Sequence, residues 1–213
     1  MPKPKLVVAT NNPWKLREFR ALLDGCGFEL TTPSELGVAF DPEETGASFE
    51  ENATLKAVEA ARSTGLLALA DDSGLEVDYL GKRPGIFSAR YAGGDRTDPS
   101  LSDEQRVRIV LDELRGVPDA LRTARFRCAI VIATPAGDVR AVDGVWEGRI
   151  GHEPRGEQGF GYDPIFVVQE RGITSAEMDR ADKNRISHRG AAVRKVAAVL
   201  KEMAGGDPTA GAD

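Results

Sequence analysis

The chain is poor in the residues on which many enzymes rest. It has only two histidines, His152 and His188, which excludes a histidine-rich zinc site. Its two cysteines, Cys26 and Cys128, stand far apart, so neither a disulfide framework nor a CxxC metal site is present, and a reducing cytoplasm is the expected compartment. No apolar run approaches the length of a membrane span, and the basic start Met1–Lys5 is followed by too short an apolar stretch for a signal peptide. No G-x-x-x-x-G-K-[ST] loop occurs. A formal net charge of −6 leaves no general excess of basic residues to neutralise nucleic-acid phosphates. What is left for a metal is carboxylate and water, which points to Mg²⁺ or Mn²⁺.

What is present suits one soluble domain with a sizeable core, expected over residues 1–204 in two lobes, with 205–213 as a small, polar, frayed tail. Lys5–Thr10 reads as a strand, Asn11-Asn12-Pro13 as a helix start, and Leu16, Phe19, Leu22 and Leu23 as its buried face, closed by Gly25. Phe28–Thr32 reads as a second strand. Boxes of the form Ser48-x-x-Glu51, Ser102-x-x-Gln105 and Thr174-x-x-Glu177 predict three further helix starts, and Ser187 caps a final helix with Val196, Val199, Leu200 and Met203 on one face. Leu66–Ala70 predicts a short strand ending at Asp71-Asp72-Ser73-Gly74, and Leu75–Leu80 another. Pro84–Pro99 predicts a loop, Thr123–Thr134 and Val139–Ile150 a long hairpin, and Ile165–Val168 a strand after the glycine-rich loop Pro154–Pro164. Helices interleaved with strands and one long hairpin predict an α/β fold, a mixed sheet with helices on both sides and a cleft between the lobes.

Four places carry chemistry. Thr10-Asn11-Asn12-Pro13-Trp14-Lys15 is a strand-to-helix turn whose free N–H groups and positive dipole end suit an anion, and a bound phosphate would explain a lysine there. Glu43, Glu44, Asp71 and Asp72 form an acidic set at a strand end. Because neighbouring strand residues face opposite ways, one aspartate can hold metal or activate water while the other serves the turn. Gly159-Phe160-Gly161-Tyr162-Asp163-Pro164 offers an aromatic for stacking on a planar base. Lys183 and Ser187-His188-Arg189 place cations at a helix start, and Lys56 lies on the helix after the acidic loop. Each stretch alone also reads as an ordinary cap, turn or solvated helix start. Cations, a carboxylate pair and a loop aromatic together suit a nucleoside triphosphate with Mg²⁺.

"TNNPWK", "EETG", "SFEENATLKA", "ALADDSGLEVDYLGKRPGIFSARYAG", "GFGYDPIF" and "ISHRGAAVRK" occur in that order. In these motifs the chain resembles the inosine triphosphate pyrophosphatase family, the noncanonical purine NTP pyrophosphatases also called Ham1-like, from about Lys5 to Met203. The resemblance implies an elongated, two-lobed α/β fold, a homodimer, and Mg²⁺-dependent hydrolysis of ITP, dITP and XTP to the monophosphate and pyrophosphate. It implies that Glu43 and Asp72 hold the metal, with Asp72 also the proton acceptor for the attacking water. Thr10, Asn11, Asn12, Pro13, Trp14, Lys15, Lys56 and Ser73 would face the triphosphate. Phe160 would stack on the base beside Gly161, Tyr162 and Asp163, and Lys183, His188 and Arg189 would read the purine edge. Two other readings use the same cleft: a catalytically silent nucleotide-binding regulator, and a metal-dependent phosphatase releasing orthophosphate.

Overall fold

The computed structural model describes residues 2–205; of the expected tail 205–213, Gly205 instead ends the last helix and 206–213 lie outside the described residues. Strand β1 (Lys5–Val8) turns at Asn12 into helix α1 (Pro13–Leu22), which ends at Leu23, ahead of Gly25. Asn12 is the cap: its side chain accepts hydrogen bonds from the Trp14 and Lys15 N–H groups at 2.9 and 3.2 Å. Strand β2 (Glu29–Thr31) returns parallel to β1. Helix α2 (Phe49–Thr64) is capped by Ser48 and closed by left-handed Gly65. Its expected reciprocal box is half made, because Glu51 turns back to the Ala47 N–H at 2.8 Å. Buried Ala53, Ala57, Ala60 and Ala61 let this helix lie close on the sheet.

Two short strands were expected around "DDSG"; the structure has one. Strand β3 (Ala68–Val77) runs unbroken for ten residues and pairs antiparallel along its whole length with β4 (Thr123–Ala133). Gly74 is therefore no turn glycine. A Cβ at that position would lie 2.3 Å from the Ser88 hydroxyl and 2.5 Å from the Gly85 carbonyl, so glycine admits the close passage of segment 85–88. The expected loop Pro84–Pro99 contains a 3₁₀ helix, Gly85–Arg90, and is pinned by buried Tyr91, whose hydroxyl donates to Glu113 at 2.6 Å.

Helix α3 (Asp103–Glu113) has the full Ser102–Gln105 box, and β4 with β5 (Val139–Ile150) makes the expected hairpin. The chain closes with β6 (Phe166–Val168), β7 (Ile173–Thr174), α4 (Arg180–Ile186) and α5 (His188–Gly205). Of the apolar face expected on the last helix, Val196 and Leu200 are buried and Val199 is half-buried, while the Met203 side chain lies outside the described residues. Among the described residues the strands form one mixed sheet in the order β2-β1-β3-β4-β5-β6-β7, parallel only where β1 meets β2 and β3. One apolar core surrounds β1 with α1 and α5, a second lies under α2, and a third gathers α3, β6 and the far ends of β3 and β4. No helix of the described residues is long and apolar enough to cross a membrane.

Candidate active site

Adjacent aspartates on β3 sit in two separate charge networks, as strand alternation requires. Asp72 faces α2. Asn52 and Lys56, one helical turn apart on that helix, reach it together: the Asn52 amide donates to Oδ2 at 3.3 Å and Lys56 Nζ to Oδ1 at 3.1 Å. Lys56 also binds Glu44 at 2.8 Å, and Glu44 takes a further bond from Arg90 at 2.8 Å. Burial pushes the Asp72 carboxyl above its ordinary pKa; Lys56 and Lys15 oppose that rise, nearby Glu44 adds to it, and the net shift is upward.

Asp71 faces α1 and α5. It is fully buried, with Lys15 Nζ and Arg189 Nη2 each 3.0 Å from Oδ2 and the Ser73 hydroxyl donating to the same oxygen at 3.0 Å. Burial alone would raise its pKa, but Lys15 and Arg189 outweigh it and hold the carboxyl far below the carboxylate range. The network continues: Arg189 also binds Glu18, Lys183 lies 3.3 Å from Glu18 and 2.5 Å from Asp163, and Asp163 accepts the Phe160 N–H at 2.9 Å. Ion pairs thus run without a break from the first helix turn to the glycine-rich loop.

That loop is fixed from several sides. Asp163 also accepts the Ser175 hydroxyl at 2.5 Å, the Gly161 N–H donates to Asp103 at 2.7 Å, and the Tyr162 hydroxyl donates to the Ser88 carbonyl at 3.0 Å. At Gly159, with φ +81°, a Cβ would lie 1.9 Å from the Asp163 carboxylate. The glycine thus makes room for an internal carboxylate that holds Phe160 in place. His188 is buried against Phe126 and Trp146, its ring 4.9 Å and 6.5 Å from theirs. Burial, then Arg189 and Lys183, press its pKa well below 6.5, so the ring is neutral at physiological pH.

These elements line two neighbouring spaces that share Lys15 and Glu44. An outer groove of about 560 Å³ runs along Thr10, Asn11, Lys15, Phe40–Thr45, Lys56 and Arg90. An inner cavity of about 230 Å³ is lined by Asn12, Trp14, Lys15, Asp72, Ser73, Phe160–Asp163, Lys183, His188 and Arg189, among others. Together they match the size of small-molecule sites: cations line both, carboxylates Asp41, Glu43 and Glu44 border the groove, and the aromatics Trp14, Phe126, Phe160 and Tyr162 line the cavity. The expected residues are therefore brought together, with refinements. Ser73 and Trp14 line the cavity, not the groove; Pro13 lines neither and serves as the first helical residue. Glu43 borders the groove, but Glu44 is the carboxylate that shares Lys56 with Asp72.

A sequence model of the Ham1 family matches residues 6–199. The chain belongs to the Ham1 family. Among its Ham1 relatives, the dITP/XTP pyrophosphatase of Methylococcus capsulatus is 49% identical over 204 residues, covering 95% of this chain and 98% of that protein. The dITP/XTP pyrophosphatase of Bacillus subtilis is 45% identical over 195 residues, covering 92% and 96%. The solved structure of a HAM1 protein from Coxiella burnetii superposes with a TM-score of 0.83 at 43% identity, covering 93% of this chain and 99% of that one. The mixed sheet with flanking helices is thus the Ham1 fold.

Within this Ham1 site, sequence reading missed Glu18, Asn52, Arg90 and Asp103. Glu18 carried a signal: it lies one turn after Lys15, next to buried Phe19, so its carboxylate is on the inward face of α1. Burial raises the Glu18 pKa, but Arg189 and Lys183 bring it below the ordinary 4.5. The stabilisation from a lowered carboxylate pKa is fully present above the unfolded value and is lost as pH falls through the folded value. Urea titrations at about pH 7 and about pH 3 should therefore show wild type losing more stability on acidification than Glu18→Gln, which itself costs about 3 kcal/mol at neutral pH. Equal acid losses in both proteins would contradict this.

Proposed function

We propose that this chain hydrolyses noncanonical purine nucleoside triphosphates, dITP, XTP and ITP, to the monophosphate and pyrophosphate. The support from relatives is that two of them, 49% and 45% identical, are named dITP/XTP pyrophosphatases. The observation that carries the reading is Asp72, a buried carboxylate in the wall of the inner cavity, bound at 3.1 Å by Lys56, which itself borders the groove.

In this reading the triphosphate lies in the groove beside Lys15, Lys56 and the Thr10–Asn12 turn, and the base enters the cavity against Phe160. Asp72 orients water at the α-phosphorus and takes its proton. His188 is neutral, with one N–H to donate, and Arg189 offers donors from the same end of the cavity. A 6-oxo group satisfies such donors, whereas a 6-amino group leaves donor facing donor.

The donor set suits Mg²⁺, with Mn²⁺ as a substitute. Among the described residues no group of three or more His, Cys, Asp or Glu forms a closed metal cage. Mg²⁺ characteristically takes one or two carboxylates and completes its shell with water and phosphate oxygens. Asp72 with the Glu43–Glu44 pair supplies such carboxylates, and a cation there would offset the burial, and the lesser repulsion from Glu44, that raise the Asp72 pKa. Bound Mg²⁺ supplies charge neutralisation of the polyphosphate.

Two domain lobes, a homodimer and a cytoplasmic location belong to the same proposal. They are supported by family membership and, for the location, by the free thiols of Cys26 and Cys128. The test is a panel of XTP, dITP, ITP, GTP and ATP with Mg²⁺ and product identification. Pyrophosphate from the first three, with little turnover of ATP, is the expected result. Orthophosphate would mark a phosphatase, and binding without turnover a silent regulator.

A further inference from the structure

We propose that Trp14 is a second wall of the base subsite, so that the flat base is held between two aromatic rings, Trp14 and Phe160. This rests on the pyrophosphatase reading above and corrects one part of the motif-based expectation, in which every residue from Thr10 to Lys15 faces the triphosphate.

The two rings lie with centroids 6.4 Å apart and planes inclined by only 16°. At that separation the nearly parallel rings are an offset stacked pair. A flat aromatic resting on both would need about 3.5 Å on each side, about 7 Å in all. The 6.4 Å between centroids is the most that the planes can be apart, so the rings must part to admit a base; both line the same inner cavity, next to His188 and Arg189. Trp14 is 43% exposed, a large apolar side chain without a full set of neighbours. Arg17 stands 4.8 Å above the indole but does not line the cavity, which leaves the cavity-side face to a ligand.

Both walls are also held in advance. Pro13 opens the helix, and the Asn12 side chain takes the Trp14 N–H at 2.9 Å, so the backbone under the indole is fixed. The Phe160 N–H is bonded to Asp163. Parting the rings asks only for movement of an exposed indole. Stacking does not read ring substituents, so Trp14 supplies strength of base binding and leaves the choice of oxo over amino to His188 and Arg189.

The test combines steady-state kinetics and binding. Trp14→Ala should raise KM for XTP and dITP alike by about tenfold or more, within the range seen when a base-stacking aromatic is truncated. The kcat should stay within about twofold, since the indole touches no reacting atom. Trp14→Phe should restore most of the lost affinity. Inosine monophosphate, titrated without turnover, should quench the wild-type indole emission. In Trp14→Phe the remaining tryptophan, Trp146, is 8% exposed, and the quench should largely vanish while calorimetry still detects binding. An unchanged KM in Trp14→Ala, or an equal quench in Trp14→Phe, would overturn the proposal. Failure of the wild type to hydrolyse any of the triphosphates would overturn the function instead, and the monophosphate titration would still decide the stack.

Discussion

Asp72→Asn is expected to lower kcat by at least about a hundredfold while leaving the fold intact. General-base assistance accounts for roughly 10²- to 10⁴-fold in rate, and an amide cannot take the proton of the attacking water. The amide nearly matches the carboxylate in shape, Lys56 keeps Glu44 at 2.8 Å, and one charge leaves a site where burial already disfavours it. The urea midpoint should therefore move by no more than about 1 kcal/mol in stability. Turnover within tenfold of wild type, in protein of wild-type stability, would remove Asp72 from the reaction.

Asp71→Asn is expected to do the reverse, with its first effect on stability. The buried network holds three cations, Lys15, Arg189 and Lys183, against three carboxylates, Asp71, Glu18 and Asp163. Removing one carboxylate leaves the Arg189 guanidinium, 1% exposed, with Glu18 as its remaining acidic partner. Breaking a buried ion pair on one side costs about 3–5 kcal/mol, because the other charge stays buried. Urea unfolding followed by circular dichroism measures this, and a loss under about 1 kcal/mol would contradict the structural role given to Asp71. The paired variants form a test of strand alternation, since neighbouring aspartates should fail in different assays.

Much of this was legible from residue types because local signals act locally. Asn12, Ser48 and Ser102 cap helices as their side chains require, and the hairpin turn at 135–138 separates two long strand-like runs. The continuous strand β3 was not legible. Asp-Asp-Ser-Gly has the composition of a turn, and only pairing with β4 and the passage of Ser88 over Gly74 keep it extended. Local propensity lost there to tertiary pairing. The separation of Asp71 from Asp72 was legible, since it needs only the period of a strand. Their partners were not, because Lys15, Arg189, Asn52 and Lys56 come from three different helices. Glu44 and Glu43 illustrate the same limit: adjacent acids in an irregular loop carry no period from which to read which one meets Lys56. In the glycine-rich loop the sequence shows the aromatic but not what its glycines make room for. At Gly159 the close approach is to Asp163, a contact between residues four apart that depends on Ser175 and Lys183 from elsewhere in the chain.

The most direct measurement is hydrolysis of XTP in water enriched in heavy oxygen, with the products separated and weighed by mass spectrometry. Water activated by Asp72 at the α-phosphorus places the heavy oxygen in the nucleoside monophosphate and leaves the released pyrophosphate unlabelled. Label in pyrophosphate, or release of labelled orthophosphate, would contradict attack at that position.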